Sequence, residues 1–556
     1  MPSNASQLLH ELLLPAQTLK KMSFCNSSKF AKVSEWVTEL KPAQVDQTSA
    51  QLYKALPEVN QLVTNAQTRF DMLEALRPYA QDACQSLSKR FLGQPLSLPE
   101  AAQKNAIIAQ ALQKYLADGY TLCVKDICSA RKLSAAQRTL AATALHRAMV
   151  SISALFLRSY LIYSMPPKNL WRTIHYLFRV ADTLELLDER VTDNTLQEAP
   201  VSSVQSAYLR IILLAISRPH QLGQADIQAL YRAYNSWGHS VGFALGINPD
   251  SNTLFCVDLD SDYGPYYKKR ASQAEHLHIE IRLNNLLPLV DKEKSGAEGA
   301  NTGAAKIPRD IGINVLQHLA DCWSSEALRQ HDRRDAKIGA EIAIGLRDCH
   351  YFLSNGLDFE EFIQSGASHD IQNASSRGFT PREAFEKTPN KSDRPLNAVE
   401  IHNTSAEGCC LIWDSASALK VQAGDLIAIN EVGARLWSLG VVRWIRQKKQ
   451  NSQLGVRILS DHAQPYAIAQ VYDMGGYSDM MRALFLPQSR TSNTPASIIT
   501  PSAPFQEQDR VKILNGDELL NAKLDERLLA TNNIQQFLFH SIDSEDGTTT
   551  KEEAGW

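Results

Sequence analysis

Two short clusters in this 556-residue chain carry side chains suited to holding a small, flat, anionic ligand. The first is Asn403-Thr-Ser405-Ala-Glu-Gly408, an N-x-S-x-x-G arrangement between two strand-like runs, AVEIHN (398–403) and CCLIW (409–413). Asn and Ser side chains can close a turn onto the backbone, and Gly supplies a positive φ that other residues resist. The same residues can present a carbonyl, an amide and a hydroxyl to a ligand lying over the turn. A plain turn fits the pattern as well, and NASSRG (373–378) repeats it ahead of proline and charge rather than a strand. The second cluster is Arg329-Gln-His-Asp-Arg333-Arg334, just before the run AEIAIGL (340–346). Guanidinium groups offer planar pairs of donors that match phosphate oxygens and the O6/N7 edge of guanine. By itself R-x-x-x-R also describes the solvated, charged end of a helix.

These clusters need a scaffold, and the chain changes character along its length. Up to about residue 245 it repeats apolar residues at three- and four-residue spacing, as in AIIAQALQKYL and LWRTIHYLFRVADTLELL, the mark of amphipathic helices. Near residue 253 strands begin: TLFCVDLD, then HLHIEIRL (276–283). SGAEGANTGAAK (295–306) reads as a linker and INVLQHLADCW (313–323) as a short helix. The series AEIAIGL, AVEIHN, CCLIW, DLIAIN, LGVVRWI, LGVRIL and YAIAQVY then suggests a small antiparallel barrel. Residues 351–397, with a helical patch FEEFIQ, interrupt it as an insertion. RTSNTPASIITPSAP (490–504) reads as a second linker, 510–541 as a source of extra strands, and the last residues as a disordered tail.

Composition narrows the function. With 57 Lys+Arg against 60 Asp+Glu the net charge is −3, which argues against a general nucleic-acid binder. The nine cysteines contain no CxxC pair, so neither a zinc ribbon nor a disulfide framework is indicated, and a reducing, cytoplasmic compartment is expected. The N-terminus lacks a signal-peptide pattern. The two most apolar stretches, 150–165 and 207–217, are interrupted by Arg158 and Arg210 and read as too short to span a bilayer, so no integral membrane protein is expected. DLDSDYG (258–264) approximates a calcium loop, but its glycine comes one place late and Lys269 stands where Glu is required. His276 and His278 share a strand face without a third ligand nearby. Trp171, His175, Leu177 and Phe178 read as the core side of a helix, with a docking surface as the other reading. Trp437 and Trp444 read as core or barrel rim, and Arg443 and Arg457 as solvated strand residues. No P-loop, nucleophile elbow or dinucleotide fingerprint occurs, and nothing argues for an enzyme or for a cofactor.

Taken together, R-x-x-x-R entering a first strand, N-x-S-x-x-G after a later one, and the strands LGVVRWI and LGVRIL resemble the PilZ domain over about residues 320–485. That family is a small β-barrel serving as a bacterial receptor for cyclic di-GMP. The resemblance implies that Arg329 and Arg333, supported by Arg334, take guanine edges and phosphates. It implies that Asn403 and Ser405 bond a guanine and that Gly408 shapes the turn. One departure stands out: the family's motifs usually lie within a few tens of residues, whereas Arg333 and Asn403 are 70 positions apart. An insertion that loops out would accommodate this; a degenerate site, with Arg377, Arg382 and Arg394 as reserve candidates, would too. The expected fold is multidomain α+β: a helical module (1–250), an α/β connection and linker (251–308), a PilZ-like antiparallel β-barrel (309–489, with the insertion at 351–397), and a region of linker, extra strands and tail (490–556). The expected function is a cytoplasmic cyclic di-GMP effector that couples ligand binding to a rearrangement of a domain or of a protein partner. The alternative is an adaptor without nucleotide, a scaffold for proteins of the pilus or flagellar machinery.

Overall fold

The computed structural model describes residues 2–130, 132–196, 200–271, 277–283, 285–294, 307–326, 333–365, 394, 396–414, 419–448, 451–472, 475–488, 495–515 and 518–542. The chain forms two units, 1–328 and 329–556.

The first unit is built on helices. Glu100–Cys128 and Ala135–Leu161 pack along each other, and Ala66–Ser88 packs on the former. The helix Ala135–Leu161 begins with a capping box, Ser134 and Gln137 each satisfying the other's backbone N–H. It is 27 residues long, so the expectation that this stretch is too short to span a bilayer is corrected: by length and composition alone it qualifies. Its most apolar window is 72% buried in the protein, which is what a core helix shows. A group of buried charges inside this unit is paired. Asp193, fully buried, accepts from Arg77 at 3.1 Å and lies 3.0 Å from an Arg147 terminal nitrogen, while Glu74 bridges the same two arginines.

A small antiparallel sheet follows, in the order Gly242–Leu245, His278–Arg282, Phe255–Asp258, Tyr266–Tyr267. The loop after Phe255–Asp258 is DLDSDYG, and its acids serve the helix Leu170–Thr183. Asp262 accepts the backbone N–H of Asn169 (2.7 Å) and Arg172 (3.1 Å), neutralising donors that a helix start leaves open. Asp260 pairs with Arg179. Trp171, His175, Leu177 and Phe178 are all buried, as a core face requires. His278 bonds the Tyr266 hydroxyl at 2.9 Å; His276 lies outside the described residues.

The second unit holds two closed six-stranded antiparallel barrels. The first consists of β1 (Arg334–Ile344), β2 (Asn397–Ser405), β3 (Gly408–Asp414), β4 (Leu426–Glu431), β5 (Ser438–Gln447) and β6 (Asn451–Ser460), closed in the order 4-5-6-3-2-1. The second consists of β7 (Gln464–Gln470), β8 (Met481–Leu486), β9 (Ser497–Pro501), β10 (Arg510–Asn515), β11 (Glu518–Ala530) and β12 (Ile534–Ser541). Its order, 7-8-9-12-11-10, repeats the connectivity of the first. The run 466–472 therefore belongs to the second barrel, not the first, because β7 pairs with β8 and β10. The expected barrel end at 489 falls inside this second barrel, and part of the expected linker, Ser497–Pro501, is the strand β9 between β8 and β12.

Residues 366–393 of the expected insertion lie outside the described residues, and the described chain at its start forms the joint between the barrels. The helix Leu346–Leu353 leaves β1 directly, and its Cys349 shares an apolar core with Ala343, Leu426, Ala428 and Leu439 of the first barrel and Leu484, Leu486, Ile499 and Ile534 of the second. Phe362, on the helix Phe359–Ser365, packs on Ala467 and Leu514 of the second barrel.

Candidate functional site

The distance between the two sequence motifs disappears at the β1–β2 pairing. Arg334 lies opposite Thr404 and Asp335 opposite Asn403. Arg333 and Arg334, both exposed, thus stand beside the Asn403–Gly408 hairpin. Arg329, Arg377 and Arg382 lie outside the described residues. Arg394 is described and is spent elsewhere. Its guanidinium is nearly buried, 2.5 Å from Asp358 and 3.7 Å from Asp348, over the Tyr351 ring at 3.9 Å, so it fastens the joint and is no reserve ligand.

Register decides which side chains face out. Ile401, Leu411, Leu454 and Ile445 form one row across β2, β3, β6 and β5, all buried in the barrel. The adjacent row is Asn403, Cys410, Gly455 and Trp444. Successive residues alternate faces, so this row lies on the outside. Asn403 is two residues from Ile401 and would share its inward face but for a bulge at His402, which re-aims it. A second bulge, at Arg443, does the same for Trp444 relative to Val442. A third, in β1, places Lys337 at φ +102°, a left-handed conformation that a lysine seldom takes. The three irregularities lie at one level of the barrel, and two of them turn out Asn403 and Trp444, which regular strands would have hidden.

The hairpin itself differs from expectation in one respect. Ser405 donates its hydroxyl to the Gly408 carbonyl at 3.1 Å, closing the turn as a serine can and leaving its lone pairs available. Gly408 does not have a positive φ; its role is close approach. A Cβ there would stand 2.0 Å from the Val456 carbonyl oxygen, so β3 and β6 can cross this tightly only with glycine. Gly455 is used similarly: the pyrrole edge of Trp444 occupies the space of its missing Cβ, 1.9 Å from that position, so the indole lies across β6.

Charge converges on the same surface. Burial pushes the Cys410 thiol up, and Arg333, Lys448 and Arg446 pull it back, in that order. Arg446 and Lys448 follow Trp444 at two-residue intervals on β5 and just beyond it, and both are exposed. Sequence reasoning passed over this W-x-R-x-K alternation (444–448), which was visible as a period-two pattern. Arg443 and Arg457 are exposed, and Trp437 stacks on Phe352 at 5.2 Å beside the joint. The outer face of β2, β3, β6 and β5 thus joins an amide, a hydroxyl, an indole and several cations. Such a surface can hold a flat anion by charge-assisted hydrogen bonds and stacking.

Three family models match the chain: "Cyclic-di-GMP receptor FimW, N-terminal domain" over residues 31–248, "Cyclic-di-GMP receptor FimW, middle PilZ domain" over 254–386 and 367–465, and "FimW C-terminal beta-barrel domain" over 466–542. Among curated proteins, "Cyclic-di-GMP receptor FimW" of Pseudomonas aeruginosa is 30% identical over 580 residues, covering 96% of this chain and 93% of that protein. No solved structure matches.

Proposed function

The chain belongs to the FimW family of cyclic-di-GMP receptors, and from that premise we propose that it binds cyclic di-GMP on the outer face of its first barrel. Arg333 and Arg334 supply charge to phosphates and guanine edges, and Asn403 and Ser405 bond a guanine over the hairpin that Gly408 makes possible. The observation carrying this reading is the pairing of Arg334 with Thr404, which sets the arginines beside the N-x-S-x-x-G turn. The 70-residue spacing was the main support for the adaptor, and with the motifs adjacent that support falls away.

Binding is coupled to the barrel joint through β1. This strand runs from the ligand residues at Arg334 to Ile344, and the next residue leads into the helix Leu346–Leu353 lodged between the barrels. A ligand shifts such an arrangement only by its differential affinity for two states, so the joint or a protein partner docked near it must differ between them. A cytoplasmic setting fits the nine free cysteine thiols.

Calorimetric titration with cyclic di-GMP, with GTP and cyclic GMP as controls, tests the receptor. Saturable binding of cyclic di-GMP alone, lost in Arg333→Ala while the protein stays folded, is the expected result. No heat at protein concentrations that detect micromolar affinity would overturn it.

A further inference from the structure

We propose that the acidic tail of this chain, residues 543–556, docks along a basic outer face of the second barrel made by Arg510, Lys512 and Lys523. This face is separate from the ligand surface of the first barrel, and the proposal does not depend on the receptor reading.

Strand alternation defines the face. Val511 and Ile513 of β10, Ala522 and Leu524 of β11, and Phe537 and Phe539 of β12 turn into the core of the second barrel. Their neighbours Arg510, Lys512, Asn521, Lys523 and His540 therefore turn out. Register sets them in two rows: Arg510, Lys523 and His540 in one, Lys512 and Asn521 in the other. Arg510 is exposed, and Lys512 and Lys523 are half-buried.

The charge of this face is unbalanced. Arg510 and Lys523 are like charges directly opposite each other, a pairing that costs stability unless an anion joins it. Among the described residues, no carboxylate forms an ion pair with Arg510, Lys512 or Lys523, and the Lys512 ammonium lies over the Tyr477 ring at 4.8 Å. The nearby acids are engaged: Asp525 pairs with His540 at 2.8 Å, and Asp509 accepts from the Gln506 N–H at 2.8 Å and from Gln470 at 3.1 Å. Glu518, opposite Asn515, is out of step with Asn521 and Lys523 by alternation.

The end of the described chain points to the occupant. Beyond β12, Ile542 donates its backbone N–H to the Asn521 carbonyl at 3.0 Å, and Asn521 lies opposite Lys512. The chain therefore leaves β12 two strands from Lys512, roughly 10 Å away. Residues 543–556, expected from the sequence to be a disordered tail, lie outside the described residues. They carry Asp543, Glu545, Asp546, Glu552 and Glu553 against Lys551 alone. The first three of these acids come within four residues of Ile542, and each residue reaches up to about 3.3 Å, so they can meet the basic rows. Exposed ion pairs are individually weak, but a short tether holds the acids at an effective concentration of about millimolar, where several pairs act together. An acidic protein that uses this face has to displace the tail.

The test records amide nitrogen–proton NMR spectra of the full-length chain at low ionic strength. It compares wild type with the barrel variant Arg510→Gln/Lys512→Gln/Lys523→Gln and the tail variant Asp543→Asn/Glu545→Gln/Asp546→Asn. Docked residues tumble with the whole chain and give weak signals, whereas released ones give sharp signals. The amides of 543–546 should be weak in wild type and gain about threefold or more in intensity in either variant. The same gain should appear in wild type at about 0.5 M salt, where the Debye length falls to roughly 4 Å. Circular dichroism melting verifies that the barrel variant is folded, and the tail variant, altered outside both barrels, keeps the test open if it is not. Sharp tail signals in wild type, or no gain in either variant, overturn the docking. A gain on dilution of the wild type alone shows that a second copy holds the tail, and overturns docking within one chain.

Discussion

Two residues beside the candidate site make opposite demands on the backbone, and each carries a prediction. Gly408 is fixed by what surrounds it: the obstacle to a Cβ is the main-chain oxygen of Val456, which cannot swing aside as a side-chain tip would. Gly408→Ala should destabilise the barrel by about 2–3 kcal/mol, read by urea unfolding, and should weaken cyclic di-GMP binding because the β2–β3 hairpin must shift. Ser405→Ala is the contrast, since it removes one hydroxyl contact and should cost stability only about 1 kcal/mol. Equal, small losses in both would mean that β3 and β6 part easily. Lys337 shows the reverse situation, an ordinary residue held at φ +102° in a bulge. Lys337→Gly should raise stability by about 1 kcal/mol by relieving that strain, and an unchanged or lower melting midpoint would count against it. Strain next to a binding surface is expected where the bulge is kept for aim and not for stability.

At the scale of elements, the DLDSDYG loop shows acids spent on protein rather than on an ion. Asp262 caps the helix Leu170–Thr183, Asp260 pairs with Arg179, and the Tyr263 carbonyl accepts from His175 Nε2 at 2.9 Å. With Nε2 protonated, His175 Nδ1 accepts the Tyr208 hydroxyl at 3.0 Å, so the neutral ring is satisfied on both sides. Burial pushes its pKa down to about 4, against the partial pull of that carbonyl and of Asp258, Asp262 and Asp260. Between pH 6.5 and about 4 the unfolded chain therefore binds a proton that the native one refuses, and stability falls as pH falls. Relative to His175→Gln, the wild type should lose about 1.4 kcal/mol per pH unit in that window, measured by unfolding at matched pH. Parallel curves would show that His175 titrates normally.

The elements also show what the sequence could and could not reveal. LGVVRWI and LGVRIL were legible as strands because β-branched residues alternate there, and they lie within β5 and β6. The helical patch FEEFIQ was legible from the three- and four-residue spacing of Phe359, Phe362 and Ile363. ELLNAKLDERLLA (518–530) spaces its leucines as a helix would, yet it forms β11, with register shifts between Leu524 and Leu529. Its partners β10 and β12 override that periodicity. Asn403, Ser405 and Gly408 could be named from type and spacing. That Asn403 faces out depends on one bulge, and that Arg334 meets Thr404 depends on pairing across 70 residues; neither is local information.

At the scale of the second unit, the repeated strand order raises the question of whether the barrels act as one body. The second barrel has the connectivity of the first, but its first strand, β7, is preceded by ILSDHA (458–463), with no arginine, so only one barrel presents the charged entry. What the second barrel contributes is a shared core: Leu484, Leu486, Ile499 and Ile534 meet Leu426, Ala428 and Leu439 around Cys349. Asn533 donates to Asp425 at 2.7 Å across the same joint, and His350 donates from Nε2 to the Tyr466 carbonyl at 3.1 Å. Exposing that core would cost more than either barrel gains by opening alone, so the two should unfold together. A ligand bound to the first barrel at a hundred times its Kd adds about 2.7 kcal/mol to whatever unfolds with it. Cyclic di-GMP should therefore slow hydrogen exchange in β9 and β12 of the second barrel as well as in β5 and β6 of the first. Leu486→Ala, which hollows the joint, should restrict that protection to the first barrel. If the wild type already shows protection in the first barrel alone, the barrels open independently, and the route from ligand to output must leave β1 without passing through the joint.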